Sequence, residues 1–283
     1  MKKSLSVLMT ILMVMPLITG SAECFGQNIR SVERKYMTTL PFGKPEDNDH
    51  LQKYRMTAVY KNMDVYGNFT GKTRVSGDYT RGYKGGYAQW NNVSVSDSKD
   101  DGAPFDQGKK QEFLENFRYI PSTGMMNGSD FKSFPKSIDN IFARNLIWDM
   151  LSVEIFAWRY NDSLKMNKVF TLPDIKGEFD MADIGKYNHA SIQLCWTGIS
   201  VMNNQLCAVI EYRALNNKLS ITFGVVKTKG TEQYWGNTWI SLKTREIEFA
   251  EIYSSTFQEI QVPELKDKML TKTIRELTVE RIQ

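Results

Sequence analysis

The chain has 283 residues, 41% hydrophobic and 24% charged, with a net charge of +4. That composition is globular; it excludes a chain that is disordered or membrane-spanning throughout, and the charge is too small to imply a nucleic-acid partner. Aromatic residues at 12% favour a β core or an aromatic-lined pocket, because such side chains bury large areas.

The first 26 residues read as a signal peptide. Lys2 and Lys3 form a positive start, Ser4 to Ile18 is mostly apolar, and Gly20-Ser21-Ala22 is a small-residue cleavage signal. Cleavage after Ala22 competes with cleavage after Gly26. The apolar run is shorter than the ~18–20 residues a membrane span needs. Cys24 follows Glu23 rather than a small residue, which argues against a lipid anchor. A periplasmic or secreted mature protein is the expectation, with no membrane span left. Removal of residues 1–26 would leave 34 basic and 31 acidic residues. Residues 27–52, with Pro41, Gly43 and Pro45, read as an irregular N-terminal arm with a short helix near Ser31 to Met37. Residues 53–283 read as a single β-rich domain.

Tyr54 to Ser96 has the pattern of a meander. Arg55 to Tyr60 is one strand and Asn62-Met63 a turn. Val65 to Thr80 is a long strand whose glycines, Gly67, Gly71 and Gly77, mark bulges or bends. Tyr87 to Val95 returns, with Tyr87, Gln89, Asn91, Val93 and Val95 assigned to one face. Phe113 to Ile120 is strand or short helix, and Pro121 to Gly128 breaks it.

Residues 137–160 form the one long helical candidate, capped by Ser137. It is apolar almost all round, which is the pattern of a buried helix. Its tail from Ile155 could instead begin a strand. Asn145, Asp149 and Ser152 fall at i, i+4 and i+7, so they share one stripe. A buried Asp149 needs a partner, with Arg144, Arg159 or strand-end backbone as candidates. The stripe is either a polar anchor in an apolar cavity or a network that docks the helix on the sheet. Glu154 lies on another side, as a second contact of that kind.

Tyr187 to Val262 is a series of strands. Ala190 to Val201 turns at Asn203-Asn204 into a strand through Cys207 and Tyr212. Asn216-Asn217 ends that strand, Leu219 to Val226 is another, and Lys229-Gly230 is a turn. Trp239 to Leu242 turns at Thr244-Arg245 onto Glu246 to Tyr253, read as half-exposed. Thr271 to Ile282 is a strand, and the basic bias from Lys266 to Arg281 reads as a solvated face. With a tight turn and Met202 opposite Gln205, Cys207 faces Ser200 and Cys195 falls farther along on the other side of the sheet, which favours two buried free thiols over a disulfide; a longer loop would reverse this. Trp196, Trp235 and Trp239 lie in this series, as core or as a surface that stacks a ligand.

No catalytic signature is present, and the chain reads as non-catalytic. Gly67 to Thr73 has three residues between its glycines where a phosphate loop needs four. Asp97 to Gly102 starts like a calcium loop, but Lys99 and Gly108 stand where ligands belong. Asp47, Asp49 and His50 complete no metal spacing, and nothing implies a cofactor. The two histidines, His50 and His189, have no Gly-x-Ser-x-Gly elbow to serve. His189 reads as a strand-start residue bonded to backbone.

Strands before and after a buried helix, without β-α-β alternation, give an α+β class: a predominantly antiparallel curved sheet or open half-barrel with one long buried helix. The runs Trp196 to Ser200, Tyr234 to Leu242 and Arg144 to Asp149 resemble segments of exported bacterial proteins of no known activity. The architecture is similar to that of periplasmic lipoprotein carriers and related lipid-binding half-barrels. That resemblance implies a binder or carrier of an apolar or amphipathic, lipid-like ligand held between sheet and helix. Such a protein needs an aromatic-lined cavity of roughly a few hundred Å³. Candidate ligand-binding residues are Asn145, Asp149, Ser152, His189, Trp196, Trp235 and Trp239. A structural or assembly component of the envelope, with envelope proteins as partners, instead requires a filled core and an exposed apolar patch or strand edge. A hydrolase requires paired carboxylates in a cleft.

Overall fold

A computed structural model describes residues 31, 34, 50–122, 131, 133–135, 138–181, 185–264 and 267–282. The chain divides into two compact units, Met1–Met37 and Thr38–Gln283. Of the first, Ser31 and Arg34 are described, and both are helical. The leader, nearly all of the arm, Ser137 and most of the Pro121–Gly128 break lie outside the described residues.

The second unit is built on one open, antiparallel curved sheet. Its strands in chain order are β1 (Gln52–Asp64), β2 (Phe69–Tyr83), β3 (Tyr87–Ser98), β4 (Lys109–Lys110), β5 (Phe117–Tyr119), β6 (Val169–Thr171), β7 (Gly177–Asp180), β8 (Gly185–His189), β9 (Ile192–Met202), β10 (Gln205–Phe223), β11 (Val226–Ser241), β12 (Ile247–Gln261) and β13 (Met269–Ile282). The spatial order β4-β3-β2-β1-β13-β12-β11-β10-β8-β7 places N-terminal β1 beside C-terminal β13 in the middle of the sheet. Alternation drives the pairing: Tyr54, Met56, Ala58 and Tyr60 of β1 are buried on one face.

Two of the three glycines mark bends as expected, but the turn expected at Asn62-Met63 is corrected: both residues pair within β1, and the chain turns after Asp64, with Gly67 in that turn rather than in a strand. The β2–β3 register slips around Gly77, and β1–β2 slips opposite Gly71. The slip leaves Asn92, at φ 54°, as an extra residue in β3. Ala88 and Trp90 are therefore buried together with Val93 and Val95, and the single-face assignment of Tyr87, Gln89 and Asn91 with the valines is corrected. The break expected at Asn216-Asn217 is absorbed as a bulge in an unbroken β10, with Asn216 at φ 60°. There the sheet edge changes hands: β9 pairs with β10 before the bulge and β8 after it. The turn expected at Lys229-Gly230 lies earlier, because Gly230 pairs with Leu219 and Gln258 inside β11.

The Asn203-Asn204 turn forms as expected, with both φ positive and Met202 opposite Gln205. Both cysteines are free, but the geometry differs from the expectation. A register shift between Val209 and Ile210 puts Cys195 opposite Glu211, where an unbroken register would have put it opposite Tyr212. Glu211 and Cys207 are four positions apart on one strand and so share a face. Separation along the strand, not opposite faces, keeps the thiols apart.

Helix α1 (Ile138–Glu154) continues as a π-helical segment, Ile155–Arg159, so the tail does not begin a strand. Leu146, Ile147, Met150 and Val153 are buried to exclusion of solvent. The helix approaches β2 and β3, and its π-helical end approaches β10 and β11.

Candidate functional site

Inward-facing residues form rows across the sheet. The deepest row is Ala58, Leu277, Ile252, Gly236 and Tyr212. It is solid: all five are buried, and the Phe156 ring covers Tyr212 at 4.7 Å. Gly236 has no side chain because the neighbouring Tyr212 hydroxyl passes there to bond the Glu251 carbonyl. The next row is Tyr60, Arg275, Ser254 and Tyr234, then Asn62, Thr273, Thr256 and Glu232. Nearer the strand ends come Thr271, Gln258, Gly230 and Leu219, then Met269, Ile260, Thr228 and Ile221.

Above the last four rows lies a cavity of about 920 Å³. Its other wall is α1 with its π-helical extension, through Ile141, Phe142, Asn145, Trp148, Leu151 and Ile155. Phe179, Tyr187 and His189 of β7 and β8 close one side. Ser254, Tyr234 and Ile252 at the inner end are buried, while Ile260, Thr228, Ile221 and Thr271 at the strand ends are half-buried. The cavity therefore opens toward the ends of β10 to β13. The lining is mainly apolar, which is the usual character of ligand pockets.

A buried charge cluster forms its inner end. Arg275 Nη1 donates to both Asp149 oxygens at 2.9 Å. Arg275 Nη2 stands 4.0 Å from Glu232 Oε1. Glu232 in turn accepts from the Tyr187 hydroxyl at 2.6 Å and from Thr256 Oγ1 at 3.4 Å. Burial pushes the Asp149 carboxyl up, to about 6, while Arg275 pulls it back. Burial works against the Arg275 charge, but Asp149, Tyr60 and Glu232 together outweigh it and hold the guanidinium protonated. His189 is ringed by Tyr187, Phe179 and Tyr234 at 4.8, 5.3 and 6.2 Å. Burial pulls its imidazole down to about 4, against the opposing effect of Glu232, so it is neutral at pH 7. Two buried polar atoms here have no hydrogen-bond partner, Arg275 Nε and His189 Nδ1.

Four of the seven candidates meet at this cavity: Asn145, Asp149, Ser152 and His189. Asn145 Nδ2 donates to the Tyr60 hydroxyl at 3.3 Å, and the Ser152 hydroxyl donates back into its helix, to the Trp148 carbonyl at 3.0 Å. His189 ends β8 facing the cavity; the strand-start reading is corrected. The three tryptophans lie elsewhere. Trp196 is fully buried and its indole N–H donates to the Gly198 carbonyl at 2.8 Å. Trp235 and Trp239 have the opposite parity to buried Tyr234 and Ile240, so they face outward, Trp235 stacked on Tyr253 and Trp239 tilted against Phe249.

Sequence reasoning missed Arg275, Glu232, Tyr187 and Tyr60. The available signal was Arg275 in step with Leu277 and Val279, an arginine on the apolar side of an alternating strand. The C-terminal tail is thus not a solvated face throughout: Arg281 bonds both Glu246 and Glu248 at 2.6 Å. Those two glutamates are buried, which corrects the half-exposed reading of Glu246 to Tyr253. His50 adds a 3.0 Å contact to Glu246. The second contact expected at Glu154 is present, from the Tyr79 hydroxyl at 2.8 Å and Arg81 at 3.2 Å.

Among the described residues no group of three or more His, Cys, Asp or Glu side chains could hold a metal ion, and no helix is long and apolar enough to cross a membrane. No family model and no curated protein matches the chain. Among solved structures, one of lipovitellin, described for its lipid–protein interactions, is similar at 12% identity and a TM-score of 0.42, over 82% of this chain. The chain spans only 25% of that one. A DUF1329 family protein from Desulfovibrio piger is similar at 9% identity and a TM-score of 0.15, over 82% of this chain and 87% of the other. At these values neither likeness bears on function.

Proposed function

We propose that the protein is an exported, non-catalytic binder or carrier of an apolar or amphipathic, lipid-like ligand held between sheet and helix. The observation that carries this reading is the cavity of about 920 Å³ where a structural protein would have packed side chains. Its size lies near the top of the roughly 300–1,000 Å³ range of ligand pockets. Its apolar lining faces water through the open end, and covering apolar surface is worth about 25 cal/mol per Å², so a matching apolar ligand gains free energy by filling it. The π-helical segment supports the reading, since such segments recur at functional sites, and Ile155, Phe156 and Arg159 from it line the cavity. The leader-like residues 1–26 support export. A hollow interior favours a carrier over an envelope scaffold, which requires a filled one.

The test is titration with an uncharged naphthylamine fluorophore that brightens in apolar surroundings. Wild type should bind it saturably. Thr228→Trp, which puts a ring among the cavity-lining residues of β11, should lose that binding while melting near wild type. Saturable binding that Thr228→Trp leaves untouched would place the ligand elsewhere and defeat the reading.

A further inference from the structure

Strand connections at the open end of the cavity carry exposed apolar side chains. Val65 and Tyr66 stand at the tip between β1 and β2, Val225 at the tip between β10 and β11, and Met269 and Leu270 begin β13. Tyr66 is 87% exposed and Val225 63%. β1 and β13 stay paired as far as Asp64 and Thr271, so the Val65-Tyr66 tip lies beside Met269 and Leu270. Farther across the sheet, Met269 aligns through Ile260 with Thr228, close behind the Val225 tip. The five side chains thus stand along the sheet-side rim of the opening, and none is among the cavity's lining residues. The opposite end of the sheet differs. Its exposed turn residues are Lys84-Gly85, Asn203-Asn204 and Lys243-Thr244-Arg245, without a large apolar side chain. Apolar tips therefore belong to the end where the cavity opens, not to the hairpins in general.

Grouped exposed apolar side chains mark a protein or a membrane contact. Here they sit on separate tips around an opening, which suits a fluid apolar phase better than the flat matching face of a folded partner. Charge points the same way. Residues 216–231 contain three lysines, Lys218, Lys227 and Lys229, and no acidic residue. All three are exposed. They have the opposite parity to the cavity-lining Leu219 and Thr228, so they lie on the outer face of that hairpin. Lysines behind an apolar tip meet anionic lipid phosphates when the tip passes between the headgroups.

Resting on the carrier reading above, we propose that the open end of the cavity docks on a lipid bilayer. Val65, Tyr66, Val225, Met269 and Leu270 dip into the headgroup region, and Lys218, Lys227 and Lys229 contact lipid phosphates. The lipid-like ligand then passes between bilayer and cavity without crossing water. The docked protein lies on the bilayer and does not span it.

The experiment is flotation of the mature protein with vesicles of phosphatidylethanolamine and phosphatidylglycerol in equal parts, and with vesicles of phosphatidylcholine alone. Wild type should float with both, and roughly tenfold more tightly with the anionic ones. The triple variant Tyr66→Ser, Val225→Ser, Leu270→Ser should bind either vesicle roughly tenfold more weakly or worse, since apolar burial of one such side chain is itself worth about that factor. It should melt and take up the uncharged fluorophore like wild type. Trp235→Ser, which removes an exposed ring from the outer face nearer the middle of the sheet, should float like wild type. If the triple variant melts early, Tyr66→Ser alone decides, with binding weaker by roughly threefold or more. Lys227→Glu with Lys229→Glu should abolish the preference for anionic vesicles; a preference that survives overturns the role given to the lysines. Wild type that floats with neither vesicle overturns the proposal, as does a folded tip variant that floats like wild type, or a Trp235→Ser protein that loses more than the tip variant. Self-association of wild type that the tip variant abolishes, without flotation, would assign the tips to a second copy and overturn the bilayer. Each of these results with fluorophore uptake intact defeats this proposal alone. A wild type that takes up no fluorophore defeats the carrier reading itself.

Discussion

Arg275 and Asp149 tie the last strand to the one long helix, 126 residues apart in the chain, through a single guanidinium nitrogen at 2.9 Å from both carboxylate oxygens. The pair stands where the packed floor of the sheet gives way to open space, so it holds α1 at the height that keeps the cavity open. Removing one partner leaves a buried charge without compensation. Arg275→Met should cost about 3–5 kcal/mol by denaturant unfolding, and adding Asp149→Leu should recover most of it. A loss under about 1 kcal/mol would mean that the pair does not hold the helix.

Gly236 sits in the packed row beneath the cavity. A Cβ there would lie 1.9 Å from the Glu251 carbonyl oxygen and 2.6 Å from the Tyr212 hydroxyl. Gly236→Ala should therefore destabilise by about 1–3 kcal/mol. Tyr212→Phe should not rescue it, because the backbone collision remains. The check is the urea midpoint of the single and double variants.

Acid should act on the cavity through two groups of opposite sign. His189 titrates near 4 when folded and near 6.5 ordinarily, so its contribution is complete above pH 6.5 and is lost as the pH falls toward 4. Asp149 titrates near 6 when folded and at 3.8 ordinarily, so its contribution grows as the pH falls from 6 toward 3.8. The two offset each other in wild type. His189→Phe removes the first, and relative to wild type it should gain on the order of 3 kcal/mol between pH 6.5 and 4. A stability difference that stays constant over that window would contradict the placement of His189 at the buried end.

Cys207 is buried and its thiol is pushed up to about 12, chiefly by burial; Cys195 is half-buried and raised less strongly. In the native mature protein, without reductant, iodoacetamide should modify Cys195 first and leave Cys207 until the protein unfolds. Two thiols unreactive even in denaturant would reveal a disulfide that this fold does not allow.

The helix was legible because its apolar residues surround the axis, and the Asn145-Asp149-Ser152 stripe stood out against them. What the stripe touches was not legible. Asp149 meets Arg275 only because β13 returns beside β1, a pairing that no local pattern announces. Parity limited the tryptophans: Trp235 and Tyr234 are adjacent, so one had to face outward, but which one depends on the strands paired on either side. Bulges hid the rest. One extra residue at Asn92 and one register shift in β9 reversed the face of everything beyond them, and alternation counted from sequence carries no record of such a slip. The volume of the cavity depends on how far α1 stands off the sheet, which is set by long-range contacts such as Asp149–Arg275 and Asn145–Tyr60.

The most direct measurement is native mass spectrometry of the mature protein purified from a bacterial host without detergent. A carrier with this interior should show a population heavier than the polypeptide by the mass of one lipid-like molecule, released on collisional activation and absent from Thr228→Trp. A single species at the polypeptide mass, which also takes up no added dodecanol, would contradict the account.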